Sequence, residues 1–456
     1  MRFDLRNTPI SKRSIDTTEL SIAFFVFLSF CIQFFTHIIG SNVLLILILL
    51  LTGLMIFFLN FHKTNIYFFL SFLWLAALVA VTLSYFQTGL YISKYMDLFV
   101  FFAGILLIQF AGDNSDSFNL SRKVIIFFSF FYAVSIWVQV LAPSVYLHFA
   151  NLLPESNRLE VVKWGQTGAY FTGFSSNPAF TAGHLVCGIF LLVAESIQKP
   201  KFKIQLNRVF PFAFLLLSLF LTGKRSHMLF LLVAVLSMYI LPHKGRAFFI
   251  KIRNTIFILV FLLLLFLVFR KQLMTIPLFS RIIQSIADFL EGTDISSGRL
   301  PLYRHAWGLF KENPWFGIGW GNFRETTIGA VTLKTKMETH NIYLQLLAET
   351  GIVGFSFIVT PMLIMFYTTI RRIRQCVRYE KIGSWIALMY YSLAYQVFFL
   401  LYGVTGNGVY DPNFLMMYLF SAAITMSYMR YLQQESLIVF SGLSKAKLYR
   451  NRESTV

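Results

Sequence analysis

Long apolar runs separated by short polar segments dominate the chain. Runs able to cross a bilayer, which takes about 20 residues each, fall at 20–39, 42–61, 65–86, 96–112, 123–142, 177–195, 208–223, 225–242, 252–269, 351–370, 383–403 and 413–430. Only Gly223 to Arg225 separate the seventh from the eighth, yet together they are too long for one crossing. A bilayer admits only helices or closed barrels, and these runs are too long and too apolar for barrel strands. The pattern predicts an all-α fold, a polytopic membrane helical bundle of about twelve transmembrane helices with a large external loop of short helices. Between the ninth and tenth runs the pattern changes: Ser297 to Gly354 is polar, rich in glycine, and reads SGRLPLYRHAWGLFKENPWFGIGWGNFRETTIGAVTLKTKMETHNIYLQLLAETGIVG. Within it Leu302, His305, Ala306 and Leu309 recur at helical spacing and predict a short amphipathic helix.

Composition agrees. Of 456 residues, 57% are hydrophobic and 13% charged, with a mean hydropathy of +0.67, which excludes a soluble domain of ordinary composition. The net charge of +19 carries topology before it carries any ligand. With the N-terminus in the cytoplasm, 25 of the 39 Lys and Arg fall on cytoplasmic segments; of the other 14, nine lie in the one large loop from Arg270 to His340. Outside that loop the ratio is 25 to 5, a positive-inside bias that predicts a multi-pass protein with both termini cytoplasmic and the large loop external. The chain divides accordingly into 1–269, the first nine spans with an external segment near 143–176; 270–350, the large external (periplasmic) loop; 351–430, the last three spans; and 431–456, a basic cytoplasmic tail.

The charge does not form a basic stripe interleaved with stacking aromatics on a soluble segment, so no nucleic-acid partner is expected. Cys31, Cys187 and Cys376 lack CxxC spacing and a His neighbour, and read as packing residues. Without HExxH, an Asp-rich metal motif or a Walker lysine, no metal site and no cofactor are expected. No internal repeat is evident, which weakens a transporter of inverted repeats, and the mid-span segments hold almost none of the cations a flippase path needs.

A few residues carry chemistry. Lys224 and Arg225 sit at the external mouth of a helical hairpin, against the positive-inside bias; they either snorkel to lipid phosphate or grip an anionic substrate. Arg299, in a Ser-Ser-Gly-Arg turn, lies on the same membrane side and is able to complete a pyrophosphate clamp. Gly317, Gly319 and Gly321 form a turn that is not a dinucleotide fingerprint, since no βαβ unit surrounds it; it approaches either a ligand or another helix closely. His340, at the entrance to a helix on the side where the cations lie, is the general-base candidate. Glu349, nine residues on, lies roughly half a turn away around an ideal helix and reads as a helix-end or interhelical partner rather than a mate for His340.

These segments, GKRS at 223–226, SGR with the following Trp307, NPWFGIGWGNF at 313–323 and THNIYLQLLAETGIVG at 339–354, resemble the bacterial O-antigen polymerase and O-antigen ligase superfamily of membrane glycan transferases. The resemblance covers the C-terminal half; the N-terminal spans match only in hydropathy. It implies a metal-independent glycosyltransferase acting on an undecaprenyl-diphosphate-linked glycan at the outer face of the cytoplasmic membrane. Arg225, Arg299 and His340 match the family's functional arginines and histidine. Implied partners are an acceptor glycan or lipid A-core, membrane lipid, and a flippase and chain-length regulator. The GIGWGNF segment and the SGR context lean toward a polymerase of O-antigen, capsular or exopolysaccharide repeat units; the ligase, transferring the glycan to lipid A-core or protein, is the alternative.

Overall fold

The computed structural model describes residues 16–34, 42–60, 75–76, 79, 95–168, 170–197, 206–269, 298–330, 337–379 and 383–453; the expected span at 65–86 lies largely outside them. The described residues form 15 α-helices and no strand. In chain order they are α1 (Thr17–Phe34), α2 (Asn42–Asn60), α3 (Tyr95–Phe110), α4 (Asn119–Leu141), α5 (Pro143–Ala150), α6 (Glu155–Gln166), α7 (Pro178–Ile197), α8 (Leu206–Leu221), α9 (Arg225–Ile240), α10 (Gly245–Val268), α11 (Leu300–Glu312), α12 (Phe323–Ala330), α13 (Ile342–Tyr379), α14 (Ser384–Tyr402) and α15 (Pro412–Glu453). Each of the other expected spans is met by one of these helices. Five described stretches are individually long and apolar enough to cross a membrane, and shorter apolar helices accompany them. The protein is a multi-pass membrane protein with an all-α bundle.

The core is centred on α14, buried along most of its length and packed by α7, α9, α13 and α15. Polar side chains stitch these helices where lipid offers no competing partner. Thr369 of α13 reaches Thr425 of α15 at 2.8 Å, Gln396 of α14 donates to Thr369 at 2.9 Å, and Ser392 donates to the Ser421 carbonyl at 2.6 Å. Arg430, only 2% exposed, donates to the Gly112 and Ile108 carbonyls at 3.0 and 3.1 Å. A cation placed there satisfies orphan acceptors at the C-terminal end of α3 and complements its dipole.

Helix limits differ from the apolar runs in physical ways. Helix α10 begins at Gly245 rather than near 252, because Arg246, Lys251 and Arg253 are good helix formers and nothing breaks the chain before the apolar run. For the same reason α15 continues past Arg430 to Glu453, so the basic segment 431–456 starts as a helical extension.

The feature that positions the site is a break in α13. At Gly351 the backbone takes φ 62° and ψ −170°, dividing a short first helical segment from the long membrane helix. Three backbone groups around the break bond to the glycine turn and the residues before it: Ile318 and Gly319 donate to the Ala348 and Glu349 carbonyls at 2.9 and 2.8 Å, while Ile352 donates to the Pro314 carbonyl at 2.8 Å. Carbonyls and amides that a helix break would orphan are thereby satisfied. The approach is so close that a Cβ on Gly317 would lie 2.3 Å from the Glu349 carbonyl carbon, and one on Gly351 would lie 2.3 Å from that of Trp315.

Gly351→Ala therefore costs about 2–4 kcal/mol, from a positive φ together with a backbone collision. Gly308→Ala on α11, where an added Cβ meets nothing within 4 Å, is expected to be neutral or to stabilise by up to about 1 kcal/mol. Thermal unfolding of the detergent-solubilised variants reads the contrast; equal midpoints would remove the clamp from the account of stability.

Candidate functional site

Three side chains from three distant segments meet at the mouth of the bundle. Lys224 follows Gly223, whose φ of 67° turns the chain from α8 into α9. Arg299 stands at the N-terminal edge of α11, after Gly298 at φ 80°. His340 precedes α13. The three are electrostatic neighbours: the Arg299 and Lys224 charges both act on His340, and Arg299 acts on Lys224.

Each is held by local structure. Arg299 donates from Nη1 to the Thr405 carbonyl at 2.8 Å, in the loop between α14 and α15. The same loop accepts from the first amide of α13, Ile342 to the Gly403 carbonyl at 2.8 Å. Lys224 lies over the Tyr170 ring, with Nζ 5.3 Å from its centroid, and the Phe171 amide bonds to the Leu221 carbonyl at 3.1 Å. The segment that precedes α7 is thus tied to the hairpin. Beneath Lys224, one turn into α9, the buried His227 ring packs 4.8 Å from that of Tyr402.

His340 is the sole non-glycine residue with positive φ among the described residues, at 55°. Its neighbours hold it there. Asn341 accepts from the Tyr343 and Leu344 amides, both at 3.1 Å, and so caps α13. Thr339 accepts from the Asn341 amide at 3.0 Å and donates to Gln345 at 3.1 Å. A cap on one side and a buried Thr–Gln pair on the other fix the strained residue between them.

Electrostatics follow from burial and charge. Burial first, then the Arg299 and Lys224 charges, pushes the His340 imidazole down to about 4. Burial and then Arg299 push the Lys224 ammonium down to about 8. At neutral pH the imidazole is therefore neutral beside two cations.

Glu349 and the three glycines form a second cluster, adjoining the first. The buried Glu349 carboxylate accepts from the Gly321 amide at 2.7 Å, the Phe323 amide at 3.0 Å and Gln345 at 3.2 Å. Gly317, Gly319 and Gly321 all take positive φ, at 69°, 98° and 72°. Of the two readings open from the sequence, close approach to a helix is what the structure displays, the helix being α13 at its break. Glu349 is an interhelical anchor, linked toward His340 through Gln345 and Thr339. Arg225, half-buried, is the first residue of α9, next to Lys224, whose charge acts on His340 together with that of Arg299.

The sequence reading missed the loop from Gly403 to Asp411, which supplies the carbonyls that hold Arg299 and α13. Its signal was the glycine spacing at 403, 406 and 408 before Tyr410, Asp411 and Pro412. Burial, then the Glu338 and Asp97 charges, raises the Asp411 carboxyl well above the usual range. Asp97 accepts from the Trp320 indole at 3.2 Å, tying α3 to the glycine turn. A lone carboxylate in an apolar run was the clue to it.

Fold and site together define a multi-pass membrane protein with a cationic cluster around a histidine at one end of the bundle. Residues 210–359, which hold Lys224, Arg225, Arg299, His340 and Glu349, match the family described as O-Antigen ligase, and the match supports the O-antigen ligase and polymerase superfamily that the motifs resemble. No curated protein matches the chain.

Removing a neighbouring cation stabilises the imidazolium, so Arg299→Gln moves the His340 pKa upward from about 4 toward the ordinary value near 6.5. Lys224→Met moves it the same way by less. Histidine-selective NMR of the labelled protein follows both; a downward shift in either variant would contradict the charge cluster.

Proposed function

We propose that this protein transfers a glycan from an undecaprenyl-diphosphate carrier to an acceptor hydroxyl at the outer face of the cytoplasmic membrane, as a polymerase of lipid-linked repeat units. The observation that carries the reading is the convergence of Lys224, Arg299 and His340 at one mouth of the bundle, inside the segment that matches O-Antigen ligase.

Arg299 and Lys224 stabilise the diphosphate as the anomeric carbon–oxygen bond breaks and charge collects on it, and Arg225 at the start of α9 adds a third cation near that end. His340 accepts the proton of the acceptor hydroxyl as its oxygen attacks the anomeric carbon. The two roles are coupled. A bound diphosphate offsets the cations that depress His340, so the imidazole becomes a stronger base once the donor is in place. In this reading the cations supply the charge stabilisation, and no metal is invoked. The glycine turn and Glu349 act at one remove, by fixing the helix on whose threshold His340 stands.

The ligase reading keeps the same chemistry with lipid A-core or protein as acceptor, and is favoured by the description of the matching family. Surface-glycan banding in a deletion strain distinguishes them: a single repeat on the core marks a lost polymerase, accumulated lipid-linked polymer a lost ligase.

His340→Ala is expected to abolish transfer from a synthetic lipid-linked glycan by the purified protein, while membrane insertion and thermal midpoint stay at wild-type values. Transfer at the wild-type rate would sink the general-base assignment. Loss of the acidic limb's separation is a finer check. In wild type the limb of kcat/KM reports the free site and lies at lower pH than the limb of kcat, which reports the donor-bound site.

A further inference from the structure

At the opposite end of the bundle from His340 a second cavity, of about 650 Å³, opens between α1, α4 and α7. Helix α7 starts beside His227, near the Ala179 carbonyl, and ends at this cavity with Glu195, so a full helix of about 30 Å separates the two sites. The lining holds two cations, Arg122 and Lys123, and two carboxylates, Glu19 and Glu195. Two against two gives no net charge, so a ligand of a single sign gains nothing overall there, whereas a zwitterion meets both signs.

The charges are not spent equally. Arg122 pairs with Glu195. Glu19 uses Oε1 to accept the Leu120 amide at 2.9 Å, at the start of α4. Lys123 is exposed and, among the described residues, makes no hydrogen bond or ion pair. The cleft thus presents an unpaired ammonium beside carboxylates. Its remaining wall is apolar: Ile126 and Phe127, the latter 63% exposed, lie one turn along α4 toward the middle of the membrane span. Headgroup chemistry at the helix ends with an apolar wall one turn deeper is the order of groups along a phospholipid.

The geometry points to a structural lipid site: the cleft between α1, α4 and α7 binds a phospholipid whose headgroup carries a primary ammonium beside its phosphate. Lys123 and the Arg122 guanidinium hold the phosphate, Glu19 and Glu195 accept from the ammonium, and Phe127 supports the first acyl carbons. This site lies in the leaflet opposite the glycan chemistry and is independent of it. A quaternary ammonium headgroup lacks the N–H donors the carboxylates require, and an anionic glycerol headgroup places no cation against them.

Native mass spectrometry of the purified full-length protein, delipidated and then offered equimolar phosphatidylethanolamine, phosphatidylcholine and phosphatidylglycerol of identical acyl chains, tests the assignment. Wild type is expected to retain phosphatidylethanolamine in preference to both others. Lys123→Ala should weaken that retention about tenfold, the size of one charge-assisted hydrogen bond. Glu19→Gln keeps an acceptor for the Leu120 amide and should erase the preference over phosphatidylcholine. Unchanged thermal unfolding before lipid addition shows that either variant is folded. Equal retention of the three lipids, preference for phosphatidylglycerol, or wild-type retention by Lys123→Ala would each overturn the proposal.

Discussion

Backbone hydrogen bonds between the glycine turn and the broken start of α13 are the constraint on which the candidate site depends. A helix running unbroken from Ile342 to Tyr379 would carry its first turns straight on along the membrane helix. The break at Gly351 frees the first turns to lie against α11 and the glycine turn instead, and the peptide groups exposed by the break bond to Pro314, Ile318 and Gly319 rather than to water. Glycine is required on both sides, because each backbone sits where the other's Cβ would be. Glu349 completes the joint by accepting amides that begin α12.

With that joint in place, His340 stands at a fixed height over the bundle, and the electrostatics follow. Its backbone strain is borne by the Asn341 cap and the Thr339–Gln345 pair, and its depressed basicity is set by burial and two cations. No single segment supplies these terms. The hairpin between α8 and α9 brings Lys224, the turn before α11 brings Arg299, and the loop after α14 holds both Arg299 and the first amide of α13.

Much of this was legible in the sequence, for reasons that differ by residue. Span positions follow from apolar runs because lipid forbids unsatisfied backbone, so α4, α7 and α14 fall where hydropathy puts them. Arg299 and His340 stood out as ionisable groups on one membrane side. The Gly403–Asp411 loop stayed hidden because it contributes carbonyls, which every residue possesses. Arg430 looked like a topogenic charge at a span's end, and the structure buries it against the end of α3.

The tether from Arg299 to the Thr405 carbonyl has a consequence for biogenesis. Arg299 and His340 leave the ribosome well before residue 405, and α14 must insert before the carbonyl that orients Arg299 exists in place. Until then the nascent chain has its cations but no pocket. The ordering of Arg299 beside His340 thus coincides with closure of the helical core.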